Sequence, residues 1–347
     1  MIKTKSGLTS PLIMVVTSMA VVTPTMSQAV NVELSGQVNR LIMLVDNGVE
    51  DGVVNADNSV SGTRWRLKSS GDVGNGVTAG LYYENGLQSN ASSSVSVGSL
   101  DSDGEGGDVG SGDNFSVRQA NVWFKGDFGK ITLGQGDGAA NGSAEADKSG
   151  TDVIQYIGSS ADLLGSMEYG TSGVKVKDAR SIFDGLSRND NIRYDGGNGP
   201  FGFAVSLGNG DKTELGVKYK TESLEIRAAL WDAADSGANV AGSAISASWD
   251  SGSGLNLTGA FSGDDSGNDP ANIYLKAGYK MGNSAYGIDF SETTDKAAGD
   301  ASSISVAWVN NVMKGVQAYV SYRIESLDNV AGEDDVTALV AGARVKF

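Results

Sequence analysis

Many short segments of the chain alternate strictly between apolar and polar side chains. In the segment 316–325, Val316, Ala318, Val320, Tyr322 and Ile324 form one phase, and Gln317, Tyr319, Ser321, Arg323 and Glu325 form the other. A period of two places the phases on opposite faces of an extended strand, one suited to lipid and one to water. The end of the chain repeats the pattern, with Leu339, Ala341, Ala343, Val345 and Phe347 against Arg344 and Lys346. Similar segments lie near 31–45, 63–71, 76–86, 115–126, 129–137, 188–195, 200–208, 212–220, 223–233, 242–250, 254–263, 271–281, 284–293, 301–310, 314–326 and 335–347. They predict about sixteen strands, an even number, as an up-and-down barrel requires.

The connections sharpen this expectation. Gly71-Asp-Val-Gly-Asn-Gly76, Gly126-Asp-Phe-Gly129, Asp195-Gly-Gly-Asn-Gly199, Asp250-Ser-Gly-Ser-Gly254 and Met281-Gly-Asn-Ser284 carry the Gly, Asn and Asp of tight hairpins. Longer polar stretches at 46–62, 87–114 and 138–187 alternate with them. Short turns on one rim and loops averaging ~15 residues on the other predict an all-β, 16-stranded antiparallel transmembrane β-barrel with periplasmic turns and external loops.

Composition fits a hollow molecule. With 49 Gly, 4 Pro and 39% hydrophobic residues, the chain is poorly supplied for a large soluble core. A barrel with a wet interior needs no such core, because its lipid face uses the apolar half of each strand. Lys3 and Lys5, the apolar stretch Leu12 to Val22 and the small-residue site Ser27-Gln28-Ala29 read as a cleaved export signal over 1–29, leaving one barrel domain over 30–347. The apolar stretch is shorter than the ~20 residues of a spanning helix.

There are 26 Lys+Arg against 42 Asp+Glu, so loss of Lys3 and Lys5 takes the net charge from -16 to -18. That balance argues against nucleic acid as a partner and leans weakly toward cations as the preferred ions. The chain has no cysteine and no histidine. Disulfides, Ser-His or Cys-His nucleophile pairs and imidazole metal sites are therefore excluded, and no catalytic residue, metal or cofactor is expected.

Longer motifs carry a family resemblance. Val32-Glu-Leu-Ser-Gly-Gln-Val38, Ser61-Gly-Thr-Arg-Trp-Arg-Leu-Lys68 and Arg118-Gln-Ala-Asn-Val-Trp-Phe-Lys-Gly-Asp-Phe-Gly-Lys-Ile-Thr-Leu-Gly-Gln135 are similar to strand and turn motifs of the general, non-specific porins of Gram-negative outer membranes. Arg188-Asn-Asp-Asn-Ile-Arg-Tyr194 and the terminal Phe347 resemble the family's sixth strand and its assembly signal. The resemblance implies an outer-membrane homotrimer among lipid and lipopolysaccharide, assembled through its C-terminal strand by the barrel-assembly machinery. It also implies a third loop, here about Asp137 to Ser187, folded into the lumen to form a charged constriction for small hydrophilic solutes and ions. Two departures stand out: Gln135 where Arg is frequent, and Arg66 where a small residue is usual.

By that resemblance the basic wall is Arg64, Arg66, Lys68, Arg118 and Arg193, and the acidic loop offers Asp137, Glu145, Asp147 and Asp152, with Asp162 and Glu168 as further candidates. The Arg64 to Lys68 alternation supports the wall independently, since a cation facing lipid at mid-depth costs ~2–4 kcal/mol. Arg118 is less clear, because neither phase of its strand is cleanly apolar; a subunit interface is one explanation.

A competing reading is a secreted acidic β-rich protein that binds calcium or sugar. Asp101-Ser-Asp-Gly-Glu-Gly-Gly-Asp108 alternates oxygen-bearing residues, but Gly112 stands where a calcium loop needs its bidentate Glu. Gly74-Asn-Gly-Val-Thr-Ala79 matches a dinucleotide fingerprint only superficially, lying in a hairpin with no helix after it.

Overall fold

The computed structural model describes residues 30–97, 115–233 and 240–347. The export-signal reading of 1–29 and the acidic stretch Asp101 to Asp108 lie outside the described residues. The strands are β1 (Asn31–Asp46), β2 (Asp51–Asp57), β3 (Arg64–Gly74), β4 (Val77–Gly86), β5 (Ser116–Gly126), β6 (Gly129–Asp137), β7 (Arg188–Asn198), β8 (Phe201–Gly208) and β9 (Lys212–Lys220). They continue with β10 (Leu224–Ala233), β11 (Val240–Asp250), β12 (Leu255–Asp264), β13 (Ala271–Met281), β14 (Ser284–Thr294), β15 (Asp300–Met313), β16 (Val316–Asp328) and β17 (Val336–Lys346).

All neighbours pair antiparallel, and β1 pairs with β17, so the sheet closes. Both β2 and β3 lie against β1, β2 along Arg40–Asp46 and β3 along Asn31–Gln37. Together they occupy one strand position, and the wall is a closed 16-stranded barrel. The upper part of that position was expected to be a loop over 46–62. It is a tight turn followed by a strand, because Val53 and Val54 continue the alternation of β1. The edge of β2 is capped by the next connection, where Asp57 N–H donates to Asn90 O at 2.7 Å.

The outward phase is apolar on most strands. Val38, Ile42, Leu215, Leu230, Leu275 and Ile304 are exposed, while Gln37, Asn39, Glu214, Asn272, Ser303 and Ser305 are buried inside. Aromatic groups collect near the short-turn rim, with Phe201, Trp249, Tyr279, Tyr286, Trp308 and Phe347 all exposed. This is the girdle position where amphipathic rings meet headgroups. Phe347 lies over Gly36, at which a Cβ would meet the ring at 2.4 Å. At the β3–β4 turn Asn75 and Gly76 both take positive φ, 54° and 74°, the conformation that fits a hairpin to twisted strands.

Loop length is less evenly shared than the sequence suggested. The connections 47–50, 209–211, 265–270, 295–299 and 329–335 are short, and most of the extra chain lies in 87–115 and 138–187. The third connection, 138–187, contains two short helices, α1 (Ser159–Leu164) and α2 (Val176–Ala179).

That connection runs inside the barrel, fastened to inward side chains of successive strands. Ala139 N–H donates to Ser206 Oγ at 2.8 Å, Ala146 N–H to Ser246 Oγ at 3.0 Å and Lys148 N–H to Ser248 Oγ at 2.9 Å. Farther along, Gln155 Nε2 donates to Ser305 Oγ at 2.8 Å and Arg323 Nη2 to Ser159 Oγ at 2.6 Å.

The interior is therefore not wet throughout. Ile154, Leu163, Leu164, Met167 and Tyr169 of the loop form one buried cluster with Leu41, Met43, Val45, Val309 and Val340 of the wall. A second cluster joins Ile157 and Phe183 to Trp231 and Tyr274. Each fully buried aliphatic chain contributes about 1.5–3 kcal/mol, enough to seat the loop on one side of the barrel. The opposite side stays open.

Candidate pore constriction

The open lumen lies between the inner edge of the loop and the wall of β3 to β10. Its centre on the wall is Glu84 of β4, whose side chain is only 3% exposed. Three guanidinium groups surround it: Arg66 Nε at 2.5 Å, Arg118 Nε at 2.7 Å and Arg64 Nη1 at 3.5 Å. Tyr82 Oη donates to the same carboxylate at 3.0 Å. The arginines are partly exposed, so the carboxylate lies beneath and the cations face the lumen.

Arg118 reaches this cluster through a β-bulge. The β4–β5 register pairs Glu84 with Gln119 but Asn85 with Val117, and the extra residue is Arg118. Arg118 and Gln119 therefore share the inner side, and both phases of β5 contain polar residues for that reason. The ambiguity of this strand needs no subunit interface to explain it.

Other cations extend the wall. Arg188 Nε is paired with Asp137 Oδ1 at 2.9 Å. Arg193 Nη1 donates to Gly138 O at 2.8 Å, and its Nη2 lies 2.7 Å from Asp195 Oδ1. Arg227 Nη1 donates to Gly142 O at 2.7 Å while Nη2 is paired with Glu225 at 2.7 Å. Lys68 stands nearer the short-turn rim, 3.7 Å from Glu33.

Across the gap the loop presents Asp162, Glu145 and Asp184. Asp184 accepts Gly142 N–H at 2.5 Å and Ala144 N–H at 2.9 Å, and Asp162 accepts the Tyr156 hydroxyl. Burial raises Asp162 above the usual carboxylate range, opposed by the Tyr156 hydrogen bond and by Arg118, Arg188 and Arg64. Those three cations belong to the facing wall. Glu145 is also raised, by burial first and then by the charge of Asp184, with Arg227 opposing. Asp184 is raised by burial, against the hydrogen bonds from Ala144 and Gly142.

The other acidic candidates have different neighbours. Asp147 is paired at 2.8 Å with Lys276, on the side of the wall where the loop is seated. Asp152 is exposed and acts on Arg344 and Lys346. Glu168 closes a turn within the loop by accepting Gly173 N–H at 2.6 Å. Sequence reasoning missed Glu84, Arg188, Arg227 and Asp184. Glu84 carried a usable signal, because it shares the wet phase of its strand with Tyr82; Asp184 carried none, being fixed by contacts within the folded loop.

The lumen beside this wall opens into a cavity of about 1150 Å³ toward the short-turn rim, lined by Lys68, Asn121, Lys125, Lys130, Arg193 and Lys218. A smaller recess of about 300 Å³ lies between residues 139–143 and Arg193, Lys220 and Arg227. Among the described residues no cluster of three or more metal-ligating side chains is present.

The family model described as Gram-negative porin matches residues 16–329. The chain belongs to the Gram-negative porin family. It is accordingly an outer-membrane protein, and its fold and family are those of a channel. Solved structures agree in fold. An anion-selective porin from Comamonas acidovorans is similar with a TM-score of 0.64 at 17% identity, over 92% of this chain and 100% of that one. The outer membrane channel DcaP of Acinetobacter baumannii gives 0.62 at 13% identity, over 92% and 98%. A trimer form of OmpT from Vibrio cholerae gives 0.59 at 14% identity, over 92% and 100%. No curated protein matches this porin closely enough to count as a relative.

Proposed function

We propose that this porin is a passive, water-filled channel for small hydrophilic solutes and ions, without enzymatic activity, narrowed by an acidic loop facing a basic wall. One observation carries the reading. Asp162 on the loop lies within electrostatic reach of Arg118, Arg188 and Arg64, and Glu145 within reach of Arg227 and Arg188, while Glu84 ties Arg64, Arg66 and Arg118 to the wall. A transverse field of this kind orients dipolar solutes and selects ions without tight binding, as throughput requires. Residues 1–29 are read as the export signal. The C-terminal strand ending in Phe347 is read as the part recognised by the assembly machinery, in a membrane of lipid and lipopolysaccharide.

A homotrimer fits one feature of the outer surface. Arg40 shares the outward phase of Val38 and Ile42, and its Nη1 is paired at 2.7 Å with Asp57. A lipid-facing cation at mid-depth costs ~2–4 kcal/mol, and a neighbouring copy covering this face removes that cost.

The test is conductance. Purified protein in planar bilayers is expected to give stepwise, persistent current increments, and reversal potentials in a salt gradient give the sign of selectivity. Membranes that stay silent at all voltages would reject the channel.

A further inference from the structure

The two ends of the barrel carry opposite charge. At the long-loop rim, Asp46 and Glu50 flank the β1–β2 turn and Glu333, Asp334 and Asp335 lie in the β16–β17 turn, all exposed. Both turns are docked on the infolded loop at its mouth: Asn47 Nδ2 donates to Glu168 O at 3.1 Å, and Thr171 N–H to Gly332 O at 2.7 Å. Asp211, Asp269 and Asp295 add exposed carboxylates on further turns of the same rim. Few cations offset them there: Lys212 and Lys296 on the turns, with Lys175 and Lys177 on the loop.

The short-turn end is the reverse. The ion pairs at its cavity, among the described residues, are Lys68 with Glu33, Arg193 with Asp195 and Arg188 with Asp137, and the lining holds one further carboxylate, Asp127. That leaves Lys125, Lys130 and Lys218 facing the cavity without a carboxylate at ion-pair distance. At the same rim Lys314 and Lys346 are exposed against Asp72 and Glu222, so the three cavity lysines, set against Asp127, leave this end net positive. Strands of about ten residues, tilted as barrel strands are, separate the two ends by roughly 25–30 Å. The Debye length is ~8 Å at physiological salt, so neither end neutralises the other.

Building on the diffusion-channel reading, we infer that this porin rectifies, passing more current when its long-loop side is positive. With that polarity cations enter through the acidic mouth and anions through the basic vestibule, so both carriers accumulate in the pore. With the opposite polarity each end excludes the carrier arriving there, and the pore is depleted.

The experiment is single-channel recording in symmetric KCl with orientation known. The chain has no cysteine, so an Asn209→Cys substitution in the exposed β8–β9 turn allows an impermeant maleimide, added to one chamber, to report which side the long loops face. In about 0.1 M salt the current with the long-loop side positive is expected to exceed the opposite current by at least ~1.5-fold, and in 1 M salt, where the Debye length is ~3 Å, the ratio falls toward one. Replacing Lys125, Lys130 and Lys218 together by Gln is expected to remove at least about half of the excess. Equal currents at low salt, the opposite polarity, or an asymmetry unchanged in 1 M salt would overturn rectification while leaving the channel intact. A silent membrane would overturn the channel reading itself, and rectification with it.

Discussion

Arg118 Nε lies 2.7 Å from Glu84 Oε1, and a single unpaired residue in the β4–β5 ladder puts it there. Without the bulge, strict alternation would put Arg118 on the outward phase with Val117 reversed to the inside. The bulge adds a third guanidinium to one buried carboxylate. Lumen-facing positive charge is thus fixed in place by a negative charge that solutes barely meet.

Glu84→Gln keeps the shape of that carboxylate and removes its charge. Loss of a nearly buried partner to Arg64, Arg66 and Arg118 is expected to cost about 1–3 kcal/mol of stability, read as a lower urea midpoint in detergent. The reversal potential is expected to move toward anions, since one negative charge leaves the proposed constriction. An unchanged potential would mean that ions do not pass this cluster.

Seating of the loop depends on Arg323. Its guanidinium is bonded to Ser159 and Ser160 of the loop, at 2.6 and 2.9 Å, and lies 3.2 Å from Glu325 and 3.7 Å from Asp289. Arg323→Ala leaves two buried carboxylates short of a cation, a change of about 3–5 kcal/mol. The strand ladders persist, so the expected result is a folded barrel with larger and noisier single-channel steps. Steps identical to wild type would show that the loop is held by its apolar clusters alone.

Acidity should tune the lumen through Glu145, whose carboxyl is pushed up to about 8, first by burial and then by Asp184. A raised acid holds its proton in the native state. Its stabilising contribution is complete below the ordinary glutamate range and is lost as pH rises through about 8. Between pH 6 and 9 the lumen thus gains negative charge, and the reversal potential is expected to drift toward cations. In Glu145→Gln that drift is expected to shrink to whatever Asp184 contributes; an equal drift in both proteins would locate the titration elsewhere.

Arg40 separates a lipid-facing from a partner-facing surface. If lipid covered it at mid-depth, Arg40→Leu would stabilise the protein by ~2–4 kcal/mol. Beside a neighbouring copy, the same change removes the partner of Asp57 within an interface, and the oligomer band on a semi-native gel is expected to dissociate at a lower temperature. A band that survives to higher temperature would place lipid on this face.

The wall was legible because its signal is local. Period-two alternation in segments such as Val316–Asp328, and Gly, Asn and Asp at the short turns, can be read one strand at a time. The same local rule puts Arg64 and Arg66 on the inner face, where both pair with Glu84, since a cation in the wet phase of a spanning strand points inward whatever its neighbours do. It was least clear at β5, where the bulge breaks the period, and at β2, where a strand of seven residues stood inside an apparent loop.

The infolded loop obeys no such period. Its course was settled by contacts such as Gln155 with Ser305 and Asp147 with Lys276, each joining residues more than a hundred positions apart. Asp147, Asp152 and Glu145 look alike as loop carboxylates in sequence, yet one is tied to the seated wall, one lies near Arg344 and one sits at the lumen edge. The sequence determined the tube, because a strand's two faces are set by its own residues. Only the tertiary structure decided which side of the tube is filled and which charges face the water, because burial and charge pairing belong to neighbours that the chain brings together only when the barrel closes.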